Sequence, residues 1–381
     1  MRKKILTSIG LMSGTSMDGV DISVIKSDGF NKVEVILNKY YEFDENLYFE
    51  LINLRCNLIK SKDLIKYSKK IIEIEKKFTI FNSKKINEII EENSLDIDLI
   101  GSHGQTVFHS PKEKISTQLG DGALLSQLTK CKVVNKFRQK DLDNNGQGAP
   151  LTPIYHALLS KIMNDKFNLK YSINIINIGG ITNVSKVIND GDPENNLFAY
   201  DIAPGNCLID EWVKKHSNNK FDKDGELAKL GKVNDLILNQ AIDNFEIKSI
   251  YDSLDIKNFD LSFVKGLNFE DGCATLTKFT AYLISEGLKK IDQKNISNSK
   301  NYLVCGGGRK NKTLISKINE FMNDKDKILQ NIDKYEIEGD FIESQAFAYL
   351  AIRSFLALPI SFPNTTRCQN PTTGGVIKKN F

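Results

Sequence analysis

Alternating apolar and polar residues mark a strand at ILTSIG (5–10), a second at ISVI (22–25) and a third at KVEVILNKYYEF (32–43). From 45 to 93 apolar positions recur at i, i+3 and i+4, as in FELINLRCNLI and SKKIIEIEKKF, which predicts a long helical stretch. DIDLIGSHGQTVFHSP (96–111) reads as a strand running into a polar loop. GDGALLSQLTKC predicts a helix, KVVNKF a strand, and DLDNNGQGAPLTP (141–153) a Gly-rich loop. That order is βββαβα-like.

The second half of the chain repeats the scheme. YSINIINIGGITNVSKVIN (171–189) predicts two strands joined by a Gly-containing turn, and LFAYDIAPGNCLIDEWVKKHS (197–217) a strand, a turn and a helix. ATLTKFTAYLISEGLKKI is helical, NYLVCGGGRKNKTLISKI is a strand whose turn opens another helix, and ESQAFAYLAIRSFL is a strong amphipathic helix with a core-facing aromatic stripe. Two halves built alike argue for two similar α/β domains with a cleft between them.

Composition changes this picture little. The chain has 381 residues, 40% of them hydrophobic and 26% charged, as in an ordinary globular protein of one large or two medium domains. A net charge of +4, with lysines scattered as in KSKDLIKYSKK, reads as solvated helix faces and not as a nucleic-acid surface. The six cysteines are isolated, with no C-x-x-C pair, and the four histidines form no H-E-x-x-H. A zinc site or disulfide framework is therefore not expected, and a reducing cytoplasm fits best. MRKKILTSIGLM imitates the start of an export signal, but its apolar stretch is short and broken by Thr7, Ser8 and Gly10, so it is read as a first strand. No apolar run is long enough to span a bilayer.

The candidate chemistry lies in three Gly turns that each follow an apolar strand: GTSMDG (14–19), NIGGITN (177–183) and CGGGRKN (305–311). Such turns let backbone N–H groups approach an anion closely, with hydroxyls and Asn adding hydrogen bonds, so the set predicts phosphate binding. No G-x-x-x-x-G-K-[ST] occurs, GELAKLGKV has the wrong spacing, GGGRKN lacks a Rossmann spacing and the protein-kinase set is absent. The phosphate is thus expected on hairpins and not on a Walker loop.

GLMSGTSMDGVD, HGQTVFH, NGQGAPLTP, NIGGITN, DIAPGN, CGGGRKN and ESQAFAYLAIRSF resemble, in this order, the motifs of the anhydro-N-acetylmuramic acid kinases, from the N-terminus to about Gly375. That family belongs to the sugar kinase–Hsc70–actin superfamily. The resemblance implies two RNase H-like (actin/sugar-kinase-like) domains, 1–148 plus 347–381 and 149–346, with the active site in the interdomain cleft. It implies an ATP- and Mg2+-dependent enzyme of the cytoplasm, forming a homodimer, whose partner is a small anhydrosugar and neither nucleic acid nor membrane. The reaction would open the 1,6-anhydro ring of N-acetylmuramic acid hydrolytically and phosphorylate O6, in cell-wall sugar recycling. A kinase for another 1,6-anhydrosugar, such as levoglucosan, is the alternative.

By the same resemblance Gly14, Thr15, Ser16, Met17, Asp18, Gly19, Val20 and Asp21 form the first ATP-binding stretch, with Asp18 holding Mg2+ through water. Asn177, Gly179, Gly180 and Asn183 match the second phosphate loop, and Gly306, Gly307 and Gly308 the adenosine-side glycines. Asp201 takes the place of the catalytic base, and His103, Gln105, Thr106, Arg138, Gln147 and Gly148 line the sugar side.

Plainer readings stay open beside these. Asp18 also suits a turn, Asp201 the cap of a helix opening at Pro204 or Gly205, His103 a hydrogen-bonded core position, and Glu343 the cap or dipole of the last strong helix. Three residues depart from the family pattern: Ala203 stands where Gly is usual, Lys136 where Asp commonly precedes Phe-Arg, and Asn145 replaces a Gly. The first two bear on the sugar side. Asn145 is mild because Asn tolerates left-handed backbone, whereas Ala203 requires a negative φ to escape strain.

Overall fold

The computed structural model describes residues 4–245, 254, 259–294, 301–325 and 327–381. The chain opens with β1 (Leu6–Ser13), β2 (Gly19–Ser27) and β3 (Val33–Glu42), then α1 (Glu45–Asn57), α2 (Ser61–Lys66) and α3 (Ser68–Glu92). β4 (Leu99–Ser110), β5 (Ile115–Leu119), α4 (Gly122–Thr129), β6 (Lys132–Asn135), α5 (Gln139–Asp143) and α6 (Pro153–Phe167) follow. The second series is β7 (Ile173–Ile178), β8 (Ile181–Val187), α7 (Pro193–Asn196), β9 (Leu197–Pro204), α8 (Cys207–His216), α9 (Glu226–Leu230), α10 (Asp235–Asn244), α11 (Phe269–Lys294), β10 (Asn301–Cys305), α12 (Lys312–Met322) and β11 (Leu329–Asn331). The chain ends with α13 (Ile342–Phe355), α14 (Pro363–Thr366) and β12 (Val376–Lys378).

These elements form two compact units: residues 1–161, 193–195 and 341–381, and residues 162–192 and 196–340. The passages between units therefore fall inside α6, around α7 and at 340/341, whereas the sequence suggested boundaries at 148/149 and 346/347.

In the first unit the sheet order is β12-β6-β4-β1-β2-β3, with β5 paired to β4. β1–β2 and β2–β3 are antiparallel, while β1–β4 and β4–β6 are parallel. In the second unit the order β11-β10-β7-β8-β9 repeats this: the first three strands form an antiparallel meander, and β10 and β11 add in parallel. With the β5 hairpin strand and the terminal β12 set aside, both sheets run 3-2-1-4-5 in order of appearance with the second strand reversed, the RNase H-like topology expected of both domains.

Each sheet packs against an apolar core. In the first unit Ile9, Leu11, Ile22 and Val24 meet Phe78, Ile86 and Ile89 of α3. In the second, Ile176, Val184 and Ile202 meet Trp212 of α8 and Leu276 and Ile284 of α11. α13 lies on the opposite face of the first sheet and is buried on nearly every side, so its aromatic residues serve the core. A pair of glycines permits this approach. Gly10 and Gly101 are cross-strand partners on β1 and β4, and a Cβ there would stand 2.0 Å from the Ser344 carbonyl oxygen and 2.1 Å from that of Phe347. Those distances are far below van der Waals contact, so α13 rests directly on the sheet backbone.

Two expectations are corrected. The stretch 45–93 is three helices, because Leu58 and Tyr67 leave helical geometry and break the run. HGQTVFHS is no loop: β4 continues to Ser110 and makes a hairpin with β5, with His103 and Gln105 buried and hydrogen-bonded. All six cysteines are free thiols, and among the described residues no helix is long and apolar enough to cross a membrane.

Candidate active site

The first unit presents the β1–β2 turn. Met17 takes a left-handed conformation (φ 58°), and its fully buried side chain enters the core together with that of Val20. The turn is thereby pinned from below, while Thr15 and Ser16 stay exposed and Asp18 half-buried. Met17 N–H donates to the Gly14 carbonyl (3.3 Å), Arg55 Nη1 to the Thr15 carbonyl (3.0 Å) and Ser16 Oγ to Asp18 Oδ1 (2.5 Å). Burial raises the Tyr40 pKa, and the negative charges of Asp18, Glu42 and Asp21, the last its cross-strand partner, add to that rise.

Gln105 on β4 braces the same turn. It is buried, its Nε2 donates to the Gly14 carbonyl at 3.1 Å, and its Oε1 lies 2.6 Å from Ser13 Oγ. The single Ser13 proton serves either Gln105 or the Gly19 carbonyl at 2.7 Å. Thr106, next along β4, accepts from Gln118 Nε2 at 3.3 Å.

A second cluster joins His103, Arg138 and Gly148. His103 is buried, with Nδ1–H donating to the Gly104 carbonyl (2.7 Å) and Nε2 accepting from Arg138 Nε (3.1 Å) and Nη2 (2.9 Å). Burial and then the adjacent guanidinium hold the imidazole pKa well below its usual value, so the ring is neutral. Arg138 Nη1 donates to the Gly148 carbonyl at 2.7 Å. Gln147 N–H donates to the Thr366 carbonyl at 2.7 Å. Glu343, in the first turn of α13, is raised in pKa by burial, with the Arg138 charge opposing that rise.

In the second unit the register of β7, β8 and β9 puts Asn177 opposite Asn183 and Asn183 opposite Asp201. Directly opposed residues share a face of an antiparallel sheet, so the three form one row. Asp201 Oδ2 accepts from the Leu254 N–H at 3.0 Å. Asp201 lies inside β9 and the next helix opens at Cys207 with Asn206 at its cap, so Asp201 is no helix cap. The β7–β8 turn is locked to the start of α8: Gly205 N–H donates to the Gly180 carbonyl (2.9 Å) and Asn206 N–H to that of Gly179 (2.7 Å). After β10, Gly306 (φ 75°) opens a short 3-10 turn, Gly307–Lys310. Arg309 clamps that turn, Nε donating to both Asp333 oxygens (3.1 Å), Nη1 to the Gly306 carbonyl (3.1 Å) and Nη2 to Asp340 Oδ2 (3.0 Å).

The turn glycines fall into two groups. A Cβ on Gly19 would stand 2.5 Å from the Tyr41 carbonyl oxygen, one on Gly308 2.2 Å from Ile178 Cγ2, and one on Gly306 2.2 Å from Asn177 Oδ1. Internal packing requires these. A Cβ on Gly14 would meet nothing within 4 Å, and on Gly179 and Gly307 only ordinary contacts at 3.7 and 3.9 Å; none of the three has positive φ. Each turn thus carries one glycine for which neither backbone conformation nor packing accounts. What it supplies is open backbone.

The sequence profile described as "Anhydro-N-acetylmuramic acid kinase" matches residues 6–380. The chain belongs to that family. A Pelagibacter ubique protein named anhydro-N-acetylmuramic acid kinase is 50% identical over all of both chains. Proteins of the same name from Brucella canis and Zymomonas mobilis are each 35% identical, over 97% of both chains in the first case and 98% of this chain and 99% of the relative in the second. This family member is accordingly a kinase.

The departures from the family pattern have local explanations. Ala203 lies in β9 opposite Thr182, with no positive φ, so no strain arises. Asn145 is left-handed (φ 62°), as suits a residue replacing glycine. Lys136 is also left-handed (φ 55°) and exposed, and its charge acts on Glu75, opposing the upward shift that burial imposes on that carboxyl. Sequence reading missed Arg55, Asp141 and Arg309, which hold the 14–19 turn, the 146–148 loop and the 306–310 turn in shape. Only spatial proximity reveals them.

Proposed function

We propose that this kinase phosphorylates 1,6-anhydro-N-acetylmuramic acid from ATP, opening the anhydro ring with water to give N-acetylmuramic acid 6-phosphate and ADP. The observation that carries the nucleotide part is the open glycine in each of three strand-end turns, at Gly14, Gly179 and Gly307. Backbone N–H groups at such positions bind phosphate oxygens without a Walker lysine. The substrate identity rests on the shared name of the relatives above, none of which names another anhydrosugar.

Asp18 suits a magnesium ion: a hard carboxylate oxygen, half-exposed, with Asp21 and Glu42 adding negative potential nearby. When bound, Mg2+ would offset the negative charge of the phosphate groups. Arg138, with Gln147 and Gly148 beside it, binds the sugar side, and neutral His103 orients the guanidinium.

Asp201 is the general base. O6 of a 1,6-anhydrosugar carries no proton because it is bonded to C1, so the carboxylate has none to remove there. It takes the proton of a water that attacks C1. As the C1–O6 bond breaks, O6 accepts the γ-phosphoryl group and ADP leaves. One base thus serves ring hydrolysis and phosphorylation together. The cytoplasm, a homodimer and a role in cell-wall sugar recycling complete the reading. ADP release from ATP and a panel of anhydrosugars tests it: turnover with the N-acetylmuramic compound and little with levoglucosan is expected, and the reverse preference would overturn the substrate.

A further inference from the structure

Asp141, on the short helix α5, is only 1% exposed, yet among the described residues no cation pairs with its carboxylate. Oδ1 accepts from Ser361 Oγ (2.5 Å) and Thr366 Oγ1 (2.6 Å), and Oδ2 from the Gly148 N–H (2.7 Å). Its own carbonyl accepts from the Gly146 N–H at 2.8 Å. A Cβ on Gly146 would stand 2.1 Å from Oδ2, so the glycine exists to let the carboxylate reach the loop. Burying a carboxylate without a counter-ion is costly unless hydrogen bonds replace its water. Here three neutral donors do so, drawn from two segments far apart in sequence.

The peptide on either side of Gly148 links this grip to the expected sugar side. Gly148 gives its N–H to Asp141 and its carbonyl to Arg138 Nη1 at 2.7 Å, and Arg138 in turn donates twice to His103. The C-terminal segment closes the frame, with Gln147 N–H on the Thr366 carbonyl (2.7 Å), Gln369 N–H on the Asn144 carbonyl (2.9 Å) and Asn144 Nδ2 on the Asn370 carbonyl (2.9 Å). We infer that Asp141 is a positioning residue for the sugar: it fixes the 144–148 loop against residues 361–372 and thereby sets the direction of the Arg138 guanidinium. This deepens the proposed function and rests on its assignment of Arg138 to the sugar side.

The carboxylate acts by geometry and not by charge, which makes the conservative substitution informative. In Asp141→Asn the amide oxygen still accepts from Gly148, while the Ser361 and Thr366 hydroxyls rotate to accept from the amide nitrogen. In Asp141→Ala the loop loses its anchor, and a small misplacement of a positioning group raises KM or lowers kcat by about tenfold or more. The experiment is steady-state kinetics on the full-length chain with Arg138→Ala, Asp141→Ala, Asp141→Asn and Thr366→Val. Expected are a rise of about tenfold or more in KM for the anhydrosugar in Arg138→Ala and Asp141→Ala, a smaller rise in Thr366→Val, and ATP KM within about twofold throughout. Asp141→Asn should retain a sugar KM close to the parent. An unchanged sugar KM in Arg138→Ala would sink the sugar-side reading itself. A raised sugar KM in Arg138→Ala with none in Asp141→Ala, or equal rises for sugar and ATP, would overturn the role of Asp141. Should Asp141→Ala not fold, Thr366→Val decides alone, and an unchanged sugar KM there rejects the inference.

Discussion

Arg138 donates two hydrogen bonds to one nitrogen of His103, from Nε at 3.1 Å and from Nη2 at 2.9 Å. A nitrogen that accepts from a guanidinium cannot carry a proton, and the other nitrogen already donates to the Gly104 carbonyl. His103 is therefore neutral and holds Arg138 in place; proton transfer is not its task.

A pH dependence of stability follows. The folded-state pKa of His103 lies well below the usual value, and burial lowers that of His156 to about 3. The unfolded chain thus takes up protons first as pH falls through about 6.5. Stability from these residues is complete above that pH and declines below it, in the case of His156 until about pH 3. Denaturant unfolding of the parent and of His103→Gln from pH 8 to 5 should show a flatter acid limb for the variant. Parallel limbs would reject a neutral His103.

The two groups of glycines should part under substitution. Gly14→Ala, Gly179→Ala and Gly307→Ala meet no steric conflict and should change stability by no more than about 0.5 kcal/mol. Each should nevertheless raise KM for ATP, because a methyl group occupies the space left for phosphate. Gly19→Ala and Gly308→Ala strike packed neighbours and should cost about 1–3 kcal/mol in unfolding. Thermal unfolding beside ATP titration checks both halves, and normal ATP KM in the first three would remove the case for phosphate turns.

Asp18→Asn should keep the fold, since its Ser16 contact survives as a hydroxyl–amide bond. A neutral amide is a weaker partner for a hydrated divalent cation, so the variant should need more Mg2+ and turn over more slowly. Magnesium titrations of initial rate measure this. An unaltered magnesium requirement would detach Asp18 from the metal.

Much of this was legible in the sequence. The strand–turn–strand units at Gly14–Gly19 and Gly179–Gly180 and the strand-to-helix switch at Gly306–Gly308 stand where periodicity and glycine place them. HGQTVFHS was misread because His103 and Gln105 are polar yet buried, satisfied by Arg138, Ser13 and the Gly14 carbonyl, partners that the local pattern does not contain. The division of the glycines was invisible for the same reason, since Gly19 is dictated by Tyr40 and Tyr41, and Gly308 by Ile178. Asp141 drew no reading of its own from the sequence, because Ser361 and Thr366 lie 220 and 225 residues away.

The central claim is that Asp201, in a row with Asn177 and Asn183, activates a water that attacks C1. Turnover in 18O-labelled water tests it most directly, supported by Asp201→Asn, which should lose about 10²–10⁴ in rate while still binding both substrates. The account predicts label on C1 of the 6-phosphate product and none in the transferred phosphoryl group. Label in the phosphoryl group, or near-normal turnover by Asp201→Asn, would contradict it.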